Sequence, residues 1–180
     1  MKKNSFYLIC LISSLFLASS FIGYDTIGKT PGTLQFVGNA GGDNLFTFQK
    51  WGFTSLEIPA DDFTKIKASI EINASSFTCD WKDLEKGIKK KKDYFYIKKF
   101  PTVWVNIDGA ESQEDGHYTT EAALTLKGVT DKVTLTFSVS DTKPYQVKGG
   151  GTIIRQDFKF NGDGPKDEVP VRFDFVLPME

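Results

Sequence analysis

Hydrophobic and polar residues alternate with a period of two along most of the chain. Segment 133–139 reads Val-Thr-Leu-Thr-Phe-Ser-Val, and segment 66–72 reads Ile-Lys-Ala-Ser-Ile-Glu-Ile. Side chains of a β-strand point alternately to its two faces, so each segment is predicted to be a strand with one buried face. Turn residues such as Lys127-Gly128 separate these segments, and the glycines at 149–151 are predicted to form a bend before a strand. The pattern indicates an all-β antiparallel sandwich or barrel, and by itself it favours a solidly packed sandwich.

One segment, residues 80–92, departs from the alternation. Trp81, Leu84 and Ile88 are spaced as on one face of a helix. Asp80 is predicted to cap the start of this helix, and lysines follow at its end, where the helix dipole favours positive charge. The segment therefore predicts one short helix, which we expect to lie across one end of the barrel.

The first residues have the pattern of an export signal. A positively charged start precedes an apolar run over residues 6–17, and small residues follow at 18–20. The run is shorter than the ~20 residues that a membrane-spanning helix needs, and an uncleaved anchor is the alternative interpretation. We predict a signal peptide over residues 1–20, a single domain over residues 21–180, and a periplasmic or secreted location for the mature chain.

Charge and residue content argue against several kinds of function. The formal net charge of −1 becomes −3 if Lys2 and Lys3 leave with the signal peptide, and such a balance argues against nucleic acid as a partner. The single histidine, His117, lies in a predicted turn, and no His or Cys cluster accompanies it, so no metal or cofactor is predicted. No Gly-x-Ser-x-Gly turn presents a nucleophile. The sequence predicts a binding protein and not an enzyme; an enzyme acting on a lipid or a quinone is the alternative.

Four segments, in this order, resemble the YceI family of exported lipid-binding proteins. They are Ile-Glu-Ile-Asn-Ala-Ser-Ser-Phe at 70–77, Asp-Tyr-Phe with Lys-Phe-Pro-Thr over 93–102, Leu-Thr-Leu-Lys-Gly-Val-Thr-Asp-Lys-Val-Thr-Leu at 124–135, and Arg-Gln-Asp-Phe at 155–158. The chain departs from the family pattern at Lys159, where the family usually has glycine, and in its first strands, which lack the usual His-Ser pair. The resemblance implies an extended eight-stranded antiparallel lipocalin-like barrel with one short helix capping an end.

The resemblance further implies that the barrel encloses a polyisoprenoid-like or other long apolar lipid. The strand parity then predicts which side chains face this ligand, and the helix and the segment after it are expected to close one end. A one-residue error of register would move a whole set of side chains outward. The predicted ligand-binding residues are Phe36, Phe46, Phe48, Ile70, Ile72, Trp81, Leu84, Phe95, Val103, Val105, Leu124, Leu126, Leu135, Phe137, Phe173 and Phe175.

Two alternatives concern the partners of such a barrel. The same inward residues could fill the interior completely, which would favour a protein-interaction or stress-response module without a lipid ligand. Lys89, Lys90, Lys91 and Lys92 are interpreted either as a solvated helix end or as a transient contact with anionic lipid headgroups at a membrane surface. A homodimer is a further open alternative.

Overall fold

The structure, a computed structural model, describes residues 30–38, 43–162 and 166–178. The predicted signal peptide over residues 1–20 lies outside the described residues. The described part contains eleven strand segments and one α-helix. They are β1 (Gly32–Gly38), β2 (Asn44–Phe48), β3 (Trp51–Glu57), β4 (Lys67–Asn73), β5 (Phe77–Thr78), α1 (Lys82–Lys90), β6 (Thr102–Asp108), β7 (Glu111–Ser112), β8 (His117–Leu126), β9 (Val129–Val139), β10 (Gln146–Ile154) and β11 (Glu168–Val176).

All strand pairs are antiparallel and belong to one sheet in the order β3-β4-β6-β8-β9-β10-β11-β1-β2-β5, with β7 paired to β8. Only two residues separate β2 from β3, and a single 3-10 turn separates β4 from β5. Thus β2 and β3 form one long bent strand, and β4 and β5 form another. This pair of bent strands supplies both ends of the order, β3–β4 at one end and β2–β5 at the other. The sheet curls round on itself, which confirms the predicted lipocalin-like barrel.

The number of strand segments exceeds the predicted eight for a local reason. At the bend, the Asn73 N–H donates to the Lys50 carbonyl at 2.9 Å and the Gln49 N–H donates to the Ser76 carbonyl at 3.3 Å. These bonds hold the two long strands together where the regular ladder is interrupted. The bends thus divide each long strand into two segments, and β7 is a two-residue addition on β8.

Alternation in the sequence becomes the division between the inside and the outside of the barrel. Along β9, Val133, Leu135 and Phe137 are buried, whereas Thr134 and Thr136 between them are exposed. The β8–β9 hairpin closes through Lys127 and Gly128, whose φ values of 53° and 75° are both positive, as a two-residue type I′ turn requires. The predicted turn is therefore confirmed, and it fixes the register that keeps one face of each strand inward.

Two local predictions were wrong. The helix begins at Lys82 with Trp81 in the N-cap position and no side-chain cap bond, so Asp80 does not cap it. The glycines at 149–151 lie inside β10 and not in a bend before it. A Cβ on Gly149 would come within 2.3 Å of the Thr136 carbonyl oxygen and 2.7 Å of the Phe173 ring. Glycine is needed there because neighbouring atoms already occupy the place of a side chain.

Candidate functional site

The interior of the barrel contains a cavity of about 430 Å³. Every long strand contributes to its wall, and α1 lies over one part of it. Trp81 and Lys91, which flank α1, line the cavity and are also exposed to solvent, so the cavity reaches the surface beside the helix. This volume falls within the range of about 300–1,000 Å³ found for ligand pockets.

All sixteen residues predicted to face a ligand lie on the wall of this cavity. Two of them, Trp81 and Leu84, belong to the helix region, and Phe95 lies in the segment that follows the helix. The other thirteen lie on strands: Phe36, Phe46, Phe48, Ile70, Ile72, Val103, Val105, Leu124, Leu126, Leu135, Phe137, Phe173 and Phe175. Their position on the wall is a structural finding, whereas their part in binding a ligand stays a prediction.

Several wall residues were missed by the sequence analysis. Trp51 and Phe53 follow the bend between β2 and β3, after which the alternation continues on the other parity. That change of parity was a usable signal. Phe63 and Phe160 lie in connecting segments, where no period of two exists, so local pattern alone gives no sign that they reach the interior.

Part of the interior is filled by an aromatic cluster, which we define as Phe36, Phe46, Phe48, Phe77, Phe95 and Phe160. The Phe36 and Phe46 rings stack with centroids 4.6 Å apart, and Phe36 also contacts the rings of Phe48, Phe77 and Phe95 at 5.4–5.6 Å. Phe46 and Phe77 are completely buried. The cluster is a packed part of the core, and such ring pairs add to the stability gained from burial.

Elsewhere the wall is less tightly covered. Ile70 and Val105, which are register partners on β4 and β6, are only half-buried, and so is Phe173 on β11. These side chains line the cavity, and they are less completely covered than the rings of the aromatic cluster. The interior therefore has two parts, a packed aromatic cluster and an open apolar channel, and every ring of the cluster except Phe77 also lines the channel.

Polar groups at the cavity are few, and most are already engaged. The only buried polar side chain among the described residues is Thr120, whose hydroxyl donates to the Gly109 carbonyl at 2.7 Å. Arg155 also lines the cavity, but its guanidinium lies 3.2 Å from the Asp167 carboxylate and donates to the Lys166 carbonyl at 3.1 Å. Asp83 and Lys91 lie on the exposed helix side of the wall. The cavity thus presents hydrocarbon inside and charge at its opening.

A charged clamp holds α1 against the barrel. The Glu85 carboxylate accepts bonds from Lys89 at 2.7 Å, from Lys82 at 3.2 Å and from the Cys79 N–H at 3.2 Å. The bond from Lys89 is the main reason that the pKa of Glu85 falls from 4.5 to about 2; burial of the carboxyl opposes this shift. The Lys89 ammonium also lies 4.9 Å from the centre of the Phe77 ring, so it joins the helix to the aromatic cluster.

The chemistry available to this site is that of an apolar container. Among the described residues, no group of three histidines, cysteines or carboxylates could hold a metal ion. Over the same residues, no helix has both the length and the hydropathy required to cross a membrane. An apolar chain that enters the cavity would exchange water contacts for Phe, Ile, Leu and Val contacts, which is favourable without any polar recognition.

A curled antiparallel barrel around an apolar cavity, with a short helix at the opening, defines a lipocalin-like class of protein. Within this class, the model of the family described as YceI-like domain matches residues 28–177. The chain therefore belongs to the YceI-like domain family, and the resemblance found in the sequence is confirmed. The comparison with curated proteins gives no match.

Solved structures share the fold at low sequence identity. Burkholderia cenocepacia BcnA is 21% identical with a TM-score of 0.72, and the match covers 81% of this chain and 96% of that one. The Campylobacter jejuni YceI protein is 17% identical with a TM-score of 0.65, covering 75% and 84%. A polyisoprenoid-binding domain from Saccharophagus degradans, implicated in plant cell wall breakdown, is 14% identical with a TM-score of 0.62, covering 85% and 100%.

Proposed function

We propose that this protein is an exported binding protein that sequesters or carries a lipid by enclosing its apolar chain in the barrel. The observation that carries the proposal is the open apolar channel of about 430 Å³, whose wall includes five rings of the aromatic cluster. A solidly packed module would not leave such a channel between its strands. The polyisoprenoid-binding domain with the same fold supports an isoprenoid or similar chain as the ligand class.

The volume sets the length of chain that can be enclosed. An engineered cavity of ~150 Å³ lined by Leu, Ile and Phe holds one benzene molecule. A cavity of about 430 Å³ is roughly three times as large, which corresponds to roughly 15–20 carbon atoms. A longer polyisoprenoid would be enclosed in part, and the opening beside α1 lets the remainder and any polar head leave the barrel.

The physical action is binding and not catalysis. Each buried methylene group contributes about 0.8 kcal/mol, so about fifteen of them contribute about 12 kcal/mol before the costs of association and ordering are subtracted. The costs of association are about 4–15 kcal/mol, so the net affinity depends on how well the barrel is already ordered before the chain enters. The apolar wall needs no reacting group for this, which fits a carrier.

Export is the second part of the proposal. Its support is the charged and apolar pattern of residues 1–20, which predicts a signal peptide and hence a periplasmic or secreted protein. Outside the cytoplasm, a protein with a dry interior would keep an apolar lipid dispersed in water. Amino-terminal sequencing of the protein from the producing cells tests the cleavage after Ser20.

Extraction of the purified protein with organic solvent, followed by mass spectrometry, tests the carrier function. We expect an isoprenoid or fatty lipid in near-stoichiometric amount. The delipidated protein should bind cis-parinaric acid, a fluorescent fatty acid whose emission rises in an apolar site.

Val105→Phe, which adds a ring to the half-buried wall, should weaken that binding. Thr134→Phe is the matched control because Thr134 is exposed on the outside of β9. If no lipid is recovered, and if neither the delipidated wild type nor Thr134→Phe binds cis-parinaric acid, the barrel is a module without an apolar ligand and the proposal fails.

A further inference from the structure

The helix at the opening of the cavity has an exposed aromatic residue at one end and exposed positive charge at the other. We define the rim patch as Trp81, which precedes α1, together with Lys90, Lys91 and Lys92 at its C-terminal end. Trp81 is 51% exposed, an unusual value for the largest apolar side chain, and the three lysines are exposed as well. Trp81 and Lys91 also line the cavity, so the rim patch includes residues at the place where a lipid would enter.

The region around α1 carries net positive charge, whereas the chain as a whole is slightly negative. Between residues 79 and 100 there are eight lysines and four carboxylates, whereas the whole chain has a formal net charge of −1. Glu85 is occupied by Lys82 and Lys89, which are therefore not free for a partner. Lys90, Lys91 and Lys92 form no ion pair with any residue of the described ranges, so their charge faces solvent.

Of the four consecutive lysines that the sequence singled out, the structure leaves three available for a membrane surface. Lys89 is a structural residue, because its side chain is only 17% exposed and is held by Glu85 and Phe77. The three lysines that follow remain available. Asp83 and Asp93 lie nearby and reduce the positive potential, but they do not outnumber the lysines.

We propose that the rim patch docks the open end of the barrel onto a bilayer that contains anionic phospholipids. The inference rests on the proposed function, because docking matters only if a lipid enters at this opening. Tryptophan favours the boundary between headgroups and acyl chains, and each lysine near an anionic surface adds attraction. A docked barrel receives an apolar chain from the membrane without exposing that chain to water.

Co-sedimentation with lipid vesicles tests the docking. One set of vesicles contains phosphatidylcholine alone, and the other contains phosphatidylcholine with phosphatidylglycerol. We expect the protein to bind the anionic vesicles more tightly at low salt, and we expect this preference to fall when salt screens the charges. In the variant Lys90→Gln, Lys91→Gln, Lys92→Gln, partitioning into anionic vesicles should fall roughly a hundredfold.

The matched control removes three positive charges near the start of β4, whereas the end of β4 leads through β5 to α1. The control changes Lys65 just before β4, Lys67 at the start of β4, and Lys143 between β9 and β10. All three are exposed, and they pair with Asp62, Asp108 and Asp61, respectively. At about 0.1 M salt, their triple change to Gln should leave vesicle binding within about twofold of the wild type, since the attraction of a charge to the membrane surface is screened beyond ~10 Å at that ionic strength. All variants keep the same N-terminal residues, so any contribution of that segment is common to them.

Tryptophan fluorescence gives a readout that charge alone would not move. Anionic vesicles should shift the emission of the wild type to shorter wavelength, because Trp81 enters the headgroup boundary. In Trp81→Phe this shift should disappear, since Trp51 is buried inside the barrel and Trp104 is half-buried on β6 between Val103 and Val105, on the face that points away from the cavity.

Three results would overturn the docking proposal: no preference for anionic vesicles, equal losses in the rim and control triple variants, or an unchanged emission of Trp81. Binding to a protein from the same compartment in place of vesicles would also overturn it. Failure of the docking is distinguishable from failure of the carrier function. If docking fails alone, delipidated protein still binds cis-parinaric acid in solution; if the carrier function fails, it does not.

Discussion

Phe36→Ala tests whether the interior is divided into a packed aromatic cluster and an open channel. Phe36 is 8% exposed and has four ring partners, with its closest partner Phe46 at 4.6 Å. Truncation of a buried Phe costs about 3–5 kcal/mol, and each aromatic pair contributes about 0.5–1.5 kcal/mol within that loss. Because four pairs are lost together, we expect the free energy of unfolding to fall by about 4–5 kcal/mol.

Phe173→Ala is the matched control on the other side of the interior. Phe173 is half-buried, lines the cavity and has a single ring partner, Phe175 at 5.8 Å, among the described residues. Part of its surface already faces the empty channel, so less packing is lost on truncation. We expect the free energy of unfolding to fall by about 2 kcal/mol.

Urea denaturation of delipidated protein measures both losses, since a bound ligand would add its own stabilisation. For binding of cis-parinaric acid we expect the reverse order, with the larger loss of affinity in Phe173→Ala. Phe173→Ala removes a wall contact and should weaken binding about tenfold. Phe36 also lines the channel, but only 8% of it is exposed, so Phe36→Ala removes little contact area and should leave the affinity within about threefold. Two results would refute the division of the interior. One is an equal loss of unfolding free energy in the two variants, and the other is a larger loss of cis-parinaric acid affinity in Phe36→Ala than in Phe173→Ala.

Two further variants test local features. Lys159 adopts φ 59° and ψ 34°, a left-handed conformation that favours glycine, so Lys159→Gly should raise the free energy of unfolding by about 0.5–1 kcal/mol. Lys98→Gly, at a position without positive φ, should not raise it, and equal shifts of the melting temperature in the two variants would contradict the reasoning. Glu85 has its pKa lowered from 4.5 to about 2 by Lys89, so its stabilisation is complete above pH 4.5 and is lost as the pH falls towards 2. Glu85→Gln should therefore cost roughly 1–2 kcal/mol at pH 7. In urea titrations the difference from the wild type should shrink as the pH falls towards 2 and vanish below it; a difference that persists below pH 2 would rule out the carboxylate as its source.

Much of the candidate site followed from local pattern. The period of two placed Val133, Leu135 and Phe137 on one face of a strand, and the structure buries that face. The helical spacing of Trp81, Leu84 and Ile88 likewise found the helix at the opening. Such predictions succeed because the direction of a side chain in a strand or helix depends on the local backbone alone.

Other features depended on residues distant in the sequence. Asp80 has the right type for a helix cap, but the described helix is fastened through Glu85, Lys89 and the Cys79 backbone. The glycines at 149–151 have a turn-like composition, yet they lie mid-strand because neighbouring strands come too close for a side chain. Composition cannot reveal these contacts, since they exist only after the sheet has curled.

The antiparallel all-β fold of the YceI-like type, and the side chains that point inward, can be predicted from the order of residues along the chain. Whether those side chains meet or leave a space between them depends on how distant strands pack. The same Phe, Ile and Val residues could fill a flatter sandwich completely, and alternation cannot tell the two apart. The empty volume depends on how far the curled sheet holds its opposite walls apart, and on six rings packing against one another beside the channel. Both are properties of distant segments brought together, so they are absent from any local pattern.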